Sequence, residues 1–295
     1  MDSRLLKYFV TIGETENISK AAEQLHVTQP TLSRQLKKFE EDLGMDLFVR
    51  NPHGLTLTET GRLMLVRAQE ILTLTDKVYT EIDALKQNVT TGNLSIGMVE
   101  INTSTVMPEV LKRFTQSFPD ASFTYYSNTG NFILDRLDSG ELDCAILINP
   151  IDISKYDYIN LDIQEEWGVY VHRTNQFVSQ GYIIPENLPE LVLMVSSRSD
   201  NLVFLRNWLG NDLMDQLSIR GYYNLILNSA PLVDNNIYSL FSLKSLNHVF
   251  NPKETVFLPL RPRMMSECVF VWKKKDVVSN LLGEFIKILK DTVES

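Results

Sequence analysis

The stretch Ile18–Phe39, ISKAAEQLHVTQPTLSRQLKKF, decides how the rest of the chain reads. Ser19 can cap a first helix that carries Ala21, Ala22 and Leu25 on one face. Small residues there let a second helix pack close. His26 and Val27 make a short turn. Thr28 is placed to cap the second helix, and Pro30 falls in its first turn, where a missing N–H costs nothing. Leu32, Leu36, Phe39 and Leu43 recur at helical spacing, so one stripe of this helix is expected to be buried. The opposite face presents Gln29, Ser33 and Lys37 in one row and Pro30, Arg34 and Lys38 beside it. Short polar groups at the N-terminus (Thr28, Gln29, Thr31, Ser33) with cations further along suit a helix lying in a DNA major groove. Its first residues meet base edges and its cations meet phosphates.

Two amphipathic helices joined by a short turn also occur in all-α domains that bind no DNA. The next residues favour the DNA reading. Leu47–Arg50 (LFVR), Asn51-Pro52-His53-Gly54 and Leu55–Thr58 (LTLT) predict a strand, a turn and a strand, a small wing. Arg50 and His53 stand where such a wing reaches the backbone or minor groove.

From Leu6 to Leu72 the chain resembles the N-terminal half of LysR-type transcriptional regulators. The matching residues are Tyr8-Phe9-Val10, Ser19 with Ala21-Ala22, Leu25 through Pro30, Leu32-Ser33-Arg34-Gln35, Glu40 with Leu43-Gly44, Leu47-Phe48 with Arg50, and Leu57-Thr58 with Thr60-Gly61. So many matches at fixed spacing are far more specific than a generic helix-turn-helix.

Composition bounds the rest. The 295 residues are 44% hydrophobic, enough for two or three domains with real cores. No apolar run approaches membrane-spanning length, the N-terminus lacks a signal-peptide pattern, and two cysteines make no disulfide framework. These features point to a cytoplasmic protein with no membrane partner. The formal net charge of −9 runs against nucleic acid, and residues 1–58 are themselves near neutral. DNA affinity must therefore come from local placement of Arg34, Lys37, Lys38 and Arg50, doubled in a dimer.

Ahead of the helix-turn-helix, Leu5, Leu6, Phe9, Val10 and Ile12 predict a helix packed beneath it, with Asn17 ending the loop that follows. After the wing, Thr58 is placed to cap a long helix with Glu59 in its first turn, running to about Gln87 with Gly61 as a weak point. Met64, Ala68, Ile71, Thr75, Val78, Ile82 and Leu85 repeat at four and three, an imperfect heptad seam. The alternative is a helix packed on its own domain. The resemblance implies the seam is a dimerisation helix that pairs two recognition helices on a near-palindromic operator.

Asn88–Asn93, NVTTGN, reads as a polar hinge. Leu94–Val99 is an apolar strand in the GNLSIG form seen where the family's effector domain begins. Helices are expected over Thr105–Ser117 and Asn131–Ser139, the second ended by Gly140, and strands over Ala121–Tyr126 and Asp143–Ile148. Alternating βαβ units predict a parallel sheet with right-handed crossovers. The pattern restarts near Leu161. Strands are expected at Gly168–His172, Leu191–Val195, Tyr222–Leu227, Val256–Leu260 and Cys268–Trp272, and helices at Leu202–Leu209, Leu232–Leu240 and Val277–Thr292.

The resemblance implies a multidomain chain. An all-α winged helix-turn-helix (1–58) would precede a linker helix and hinge (59–90). An α/β two-lobed, type 2 periplasmic-binding-protein-like effector domain (91–295) would follow. Lobe I would comprise about 91–160 and 266–295, and lobe II about 161–265. In such a module ligands sit at the carboxyl ends of strands, against helix N-termini that favour anions. The candidates are Glu100, Asn102, Thr103 and Ser104 after the first strand, Asn128, Thr129 and Gly130 after the second, and Asn149 after the third. In the second lobe, Ser196, with Ser197 and Ser199, and Ser229, with Asn228, follow strands. Each alone reads equally as a helix cap. Two departures from the family stand out. Glu100 disfavours an acidic ligand or pairs with an amine, and Leu232–Tyr238 replaces the family's glycine-rich turn.

Other chemistry is sparse. One branch of the family senses oxidants through cysteines, but Cys144 and Cys268 lie in apolar strand runs, where cysteine packs as a small hydrophobe. His26, His53, His172 and His248 show no metal spacing, and no phosphate loop, nucleophile elbow or paired-carboxylate motif occurs. The resulting expectation is a regulator, not an enzyme, needing no cofactor beyond an unidentified small-molecule effector. Its partners would be double-stranded DNA, its own copies as a dimer or tetramer, and RNA polymerase as a further candidate. The rival is a solute-binding or carrier protein whose head serves assembly only.

Overall fold

The computed structural model describes residues 2–51, 54–87, 92–101, 106–274 and 279–294. The chain divides into two units, Met1–Val89 and Thr90–Ser295.

The first unit holds α1 (Ser3–Thr15), α2 (Ile18–Gln24), α3 (Gln29–Leu43), the hairpin strands β1 (Phe48–Asn51) and β2 (Gly54–Leu57), and α4 (Glu59–Gln87). Phe9 lies at its centre, with edge-on contacts to Phe39 and Phe48 at 5.8 and 5.5 Å. Leu32, Leu36 and Phe39 are buried, each worth about 1.5–3 kcal/mol of transfer free energy. The expected stripe stops there: Leu43 is 43% exposed, because α3 ends at Gly44 before its last turn reaches the core. Asn17, not Ser19, caps α2. Its side chain accepts the N–H groups of Ser19 and Lys20, whereas Ser19 stands two residues too late. The turn between α2 and α3 is a Schellman closure. Val27 N–H bonds Ala22 O, His26 N–H bonds Glu23 O, and His26 takes the left-handed φ of 54°.

Thr58 caps α4 as expected, accepting the Gly61 N–H at 2.9 Å while donating to Asp46 O. Gly61 is required by close approach rather than being a defect: a Cβ there would run into the Leu47 carbonyl oxygen. The expected seam of α4 spans two environments. Ala68 is fully buried, and Met64 packs with Leu65 and Leu72 against the head's own core. Beyond them Ile71, Val78 and Ile82 are exposed, joined by Leu63 and Leu74 on one arc of about 100° at 100° per residue.

The second unit is built on a nine-stranded mixed sheet in the order β4-β3-β5-β11-β6-β9-β7-β8, with β10 also paired to β6. The strands are β3 (Gly92–Met98), β4 (Ala121–Ser127), β5 (Cys144–Ile148), β6 (Tyr156–His172), β7 (Val192–Ser196), β8 (Ser218–Tyr223), β9 (Ser239–Leu243), β10 (Thr255–Pro259) and β11 (Met265–Lys273). The helices are α5 (Met107–Ser117), α6 (Gly130–Ser139), α7 (Ser199–Leu209), the short α8 (Asn211–Met214) and α9 (Ala230–Asp234), and α10 (Asn280–Val293). Gly140 ends α6 in the left-handed conformation.

The sheet corrects the parallel expectation. Each lobe has a parallel set (β4-β3-β5 and β8-β7-β9), but β6 and β11 run antiparallel to each other and to their flanking strands β5, β9 and β10. Residues 156–167 form a strand the sequence hid, because Asp, Asn and Glu interrupt its alternation of Leu161, Ile163 and Trp167. Along β6 the partner changes from β11 at Glu166 to β9 and β10 from Trp167 on, so this one strand joins the two lobes. Two further expectations fail locally. The strand placed at Tyr222–Leu227 ends at Tyr223, and the helix placed at Leu232–Leu240 stops at Asp234 and gives way to β9. The first is a short apolar run, which periodicity alone cannot assign, and the second is broken at Asn235-Asn236, where Asn236 takes the left-handed φ of 56°. Strand β3 already begins at Gly92, and residues 88–91 of the expected hinge lie outside the described residues.

Candidate functional site

Two sites follow, one in each unit. In the first, burial of Leu32, Leu36 and Phe39 turns the opposite side of α3 outward. Thr28, Gln29, Pro30, Thr31, Arg34, Lys37 and Lys38 are all exposed, and Ser33 is half-buried. Thr28 begins the helix without capping it: its hydroxyl bonds the Thr31 hydroxyl at 2.8 Å. Lys37 lies 3.7 Å from Glu41, but both side chains are largely solvated, so the pair holds the cation only weakly. The wing is placed by Glu40. One carboxylate oxygen accepts the backbone N–H groups of Leu47 (2.9 Å) and Phe48 (3.1 Å), tying the end of α3 to the start of β1. The backbone of Arg50 pairs with Leu55 in the hairpin. The Arg50 side chain and all of His53 lie outside the described residues.

In the second unit a cavity of about 60 Å³ opens between the strand ends of the two lobes. Glu100, Asn128, Thr129, Gly130 and Ser196 line it as anticipated. Asn102, Thr103 and Ser104 lie outside the described residues. Asn149 and Ser229 do not line it. The Asn149 N–H is used by Glu267 O, and Ser229 is buried at the start of α9, past the turn that follows β8. That turn brings Asn224 and Leu225 to the wall instead.

Sequence reading missed the cation of the wall, Arg198. It is 6% exposed, although arginine is rarely fully buried without a partner. It donates from Nη2 to the Pro150 carbonyl and lies 3.6 Å from the Asp200 carboxylate. Burial pushes its pKa down, and Asp200 opposes that shift. The available signal was an arginine two residues after a buried strand and directly before a helix. On the facing lobe, Glu100 accepts the Ile226 N–H at 2.7 Å, and burial raises its pKa against that hydrogen bond. Tyr223, also in the wall, donates to Phe241 O.

The cysteines are not poised for exchange. Both are buried, and on the paired strands β5 and β11 Cys144 faces Trp272 while Cys268 faces Ile148. They therefore stand four residues apart along the ladder, about 13 Å at 3.3 Å per residue, too far for a disulfide. Burial and the nearby Glu165 push the Cys268 thiol up to about 12.

The chain is thus a winged helix-turn-helix head followed by a two-lobed α/β domain with a cavity at its strand ends. The comparisons give the family. Residues 3–62 match the bacterial regulatory helix-turn-helix protein, lysR family, and residues 87–294 match the LysR substrate binding domain. The chain belongs to the LysR family of transcriptional regulators.

It is 36% identical over 163 residues to the HTH-type transcriptional regulator BsdA of Bacillus subtilis (strain 168), covering 55% of this chain and 56% of that one. It is 33% identical over 147 residues to the DNA-binding transcriptional dual regulator OxyR of Escherichia coli (strain K12), covering 50% and 48%. The chain thus spans about half the length of these relatives. The fold matches full-length CbnR complexed with its target DNA along 99% of this chain and all of that one, with a TM-score of 0.73 at 22% identity. No described helix is long and apolar enough to cross a membrane.

Proposed function

We propose that this protein binds operator DNA as a dimer, or as a tetramer assembled from dimers, and responds to a small molecule in the cleft of its second unit. Double-stranded DNA would be met by Thr28, Gln29, Pro30, Thr31, Ser33, Arg34, Lys37 and Lys38 on α3, and by Arg50 and His53 in the wing. The observation that carries this reading is the face of α3. Its apolar stripe is held by the core, and its exposed side grades from short polar groups to Arg34, Lys37 and Lys38.

The exposed arc of α4 (Leu63, Ile71, Leu74, Val78, Ile82) supports self-association through that helix. The domain limits follow as head 1–58, linker helix and hinge 59–90, and effector domain 91–295, with lobe II about 161–265. Glu100, Asn128, Thr129, Gly130 and Ser196, with Arg198, would hold the effector. On the sequence alone, Asn102, Thr103 and Ser104 would join them. Bound effector would favour one arrangement of the lobes and so alter DNA binding. The site of action is the cytoplasm, with RNA polymerase as a partner at the promoter.

A mobility-shift titration on the DNA upstream of the protein's own gene, in rising salt with competitor DNA, tests the reading. A discrete, competitor-resistant complex that weakens steeply with salt is the expected result. If genome-wide selection also recovered no site, the carrier reading would take its place.

A further inference from the structure

Two opposite charges share the wall of the cleft without pairing to each other. Arg198 ion-pairs with Asp200 at 3.6 Å and gives one nitrogen to Pro150 O, but its buried Nε has no hydrogen-bond partner among the described residues. Asn201, one turn along α7 and 8% exposed, holds a buried Oδ1 that is likewise unpartnered. Buried polar atoms are nearly always satisfied, so the orphaned Arg198 Nε is a donor the fold leaves unused, whereas the Asn201 Oδ1 beside it is an acceptor that calls for an N–H or O–H. The guanidinium lies against Gly130, the first residue of α6. A Cβ there would come within 3.4 Å of Arg198 Cζ and Nη1. Neither α6 nor α7 has a side-chain cap among the described residues, and Gly130 at the start of α6 and Arg198 just before α7 both line the cavity. This half of the cavity is made for an anion.

The other half is not. Glu100 lines the same cavity, and among the described residues it ion-pairs with no cation. A simple carboxylate would satisfy Arg198 and be repelled by Glu100. A simple amine would satisfy Glu100 and be repelled by Arg198. The space sets a further limit. A volume of about 60 Å³ has room for only a few heavy atoms, since about 10–15 Å³ on this measure holds one water. Trp167, Val99 and Leu246 add apolar surface for a short hydrocarbon body.

We propose that this cleft takes a small zwitterion, a free amino acid with a short side chain, its carboxylate on Arg198 and the starts of α6 and α7 and its ammonium on Glu100. The proposal rests on reading this cleft as the effector site and specifies the chemistry of that effector.

The test is calorimetric titration of the full chain with glycine, L-alanine and L-serine, against acetate, propionate and ethylamine. The amino acids are expected to bind at least tenfold more tightly than the matched acids or the amine. Glu100→Gln should bring glycine and acetate within threefold of each other. Arg198→Lys keeps the charge but loses the fork, and it should weaken every carboxylate at least tenfold. Circular dichroism and a thermal melt of each variant establish that it folds.

Acetate binding as tightly as glycine, with both lost on Arg198→Lys, overturns the zwitterion and leaves the effector cleft standing. Ethylamine binding alone overturns the carboxylate half. If no probe binds the folded protein at tens of millimolar, the zwitterion falls and the cleft as effector site stands; if glycine binds equally to both variants, it binds outside this cleft and the zwitterion falls as well.

Discussion

The Glu100 carboxylate accepts a 2.7 Å hydrogen bond from the Ile226 backbone N–H, 126 residues further along the chain. It therefore joins the end of β3 in one lobe to the turn after β8 in the other, while Arg198 ties the second lobe back through the Pro150 carbonyl. Under the proposed function such contacts would couple cleft occupancy to lobe arrangement, because a ligand that engages Glu100 or Arg198 would compete with or reinforce an existing tie.

Glu100 also imposes a pH dependence. Burial raises its pKa in the folded chain, more than the Ile226 hydrogen bond lowers it. The folded state then holds this proton more tightly than the unfolded state. Stability must fall as pH rises from the ordinary glutamate range through the raised folded value. Thermal melts from pH 4 to pH 8 should show wild type losing ground to Glu100→Gln as pH increases. A constant gap between the two across that range would refute the assignment.

Glu40→Ala should loosen the wing. It strands the N–H groups of Leu47 and Phe48, both buried residues, and removes the tie between α3 and β1. Loss of charge-assisted bonds of this type costs about 2 kcal/mol. Chemical denaturation of the full chain should show the unfolding of the first unit at lower denaturant. An unchanged first transition would mean that the wing is held by packing alone.

Helix propensity alone would make Gly61→Ala stabilising by about 1 kcal/mol. The structure reverses the sign. The new methyl meets the Leu47 carbonyl, which is itself held by the Thr58 N–H at 3.0 Å and has little freedom to move. Overpacking of this kind costs about 1–3 kcal/mol. A lower melting temperature is expected, and a higher one would show that the approach is not tight.

Arg34→Ala should weaken binding to operator and to unrelated DNA together. It removes an exposed cation from α3 without touching Leu32, Leu36 or Phe39. For each phosphate left without its cation, the slope of log affinity against log salt should fall by about 1. An operator affinity equal to wild type would show that the recognition face lies elsewhere.

Val78→Asp tests the α4 stripe. Val78 is 52% exposed, so a charge there does little harm within one chain. Placed across a helix pair, the same charge would be duplicated and buried, at a cost of several kcal/mol. Sedimentation velocity should show a shift from dimer toward monomer. An unchanged mass would move the self-association surface off this helix.

Much of the fold was legible locally. The helix-turn-helix, the wing, the Thr58 cap and the Gly140 stop are each written in a few adjacent residues, because capping, turn conformation and helical spacing act over one or two turns of chain. The family resemblance rests on the same short-range signals. Glu100, Asn128, Thr129, Gly130 and Ser196 could likewise be placed at strand ends before the cavity they share was known.

What tertiary structure decided depends on residues far apart in sequence. Whether α4 presents Ala68 or Val78 to its own core is set by where α1 packs, not by the heptad pattern, so the seam splits in two. Residues 156–167 become a strand because β11, distant in the chain, returns beside them. Arg198 becomes part of the cleft because Gly130 and Pro150, from the other lobe, come to lie against its guanidinium. Local pattern is a matter of backbone propensity and spacing. Burial of a charge and the pairing of distant strands exist only once the chain has closed on itself.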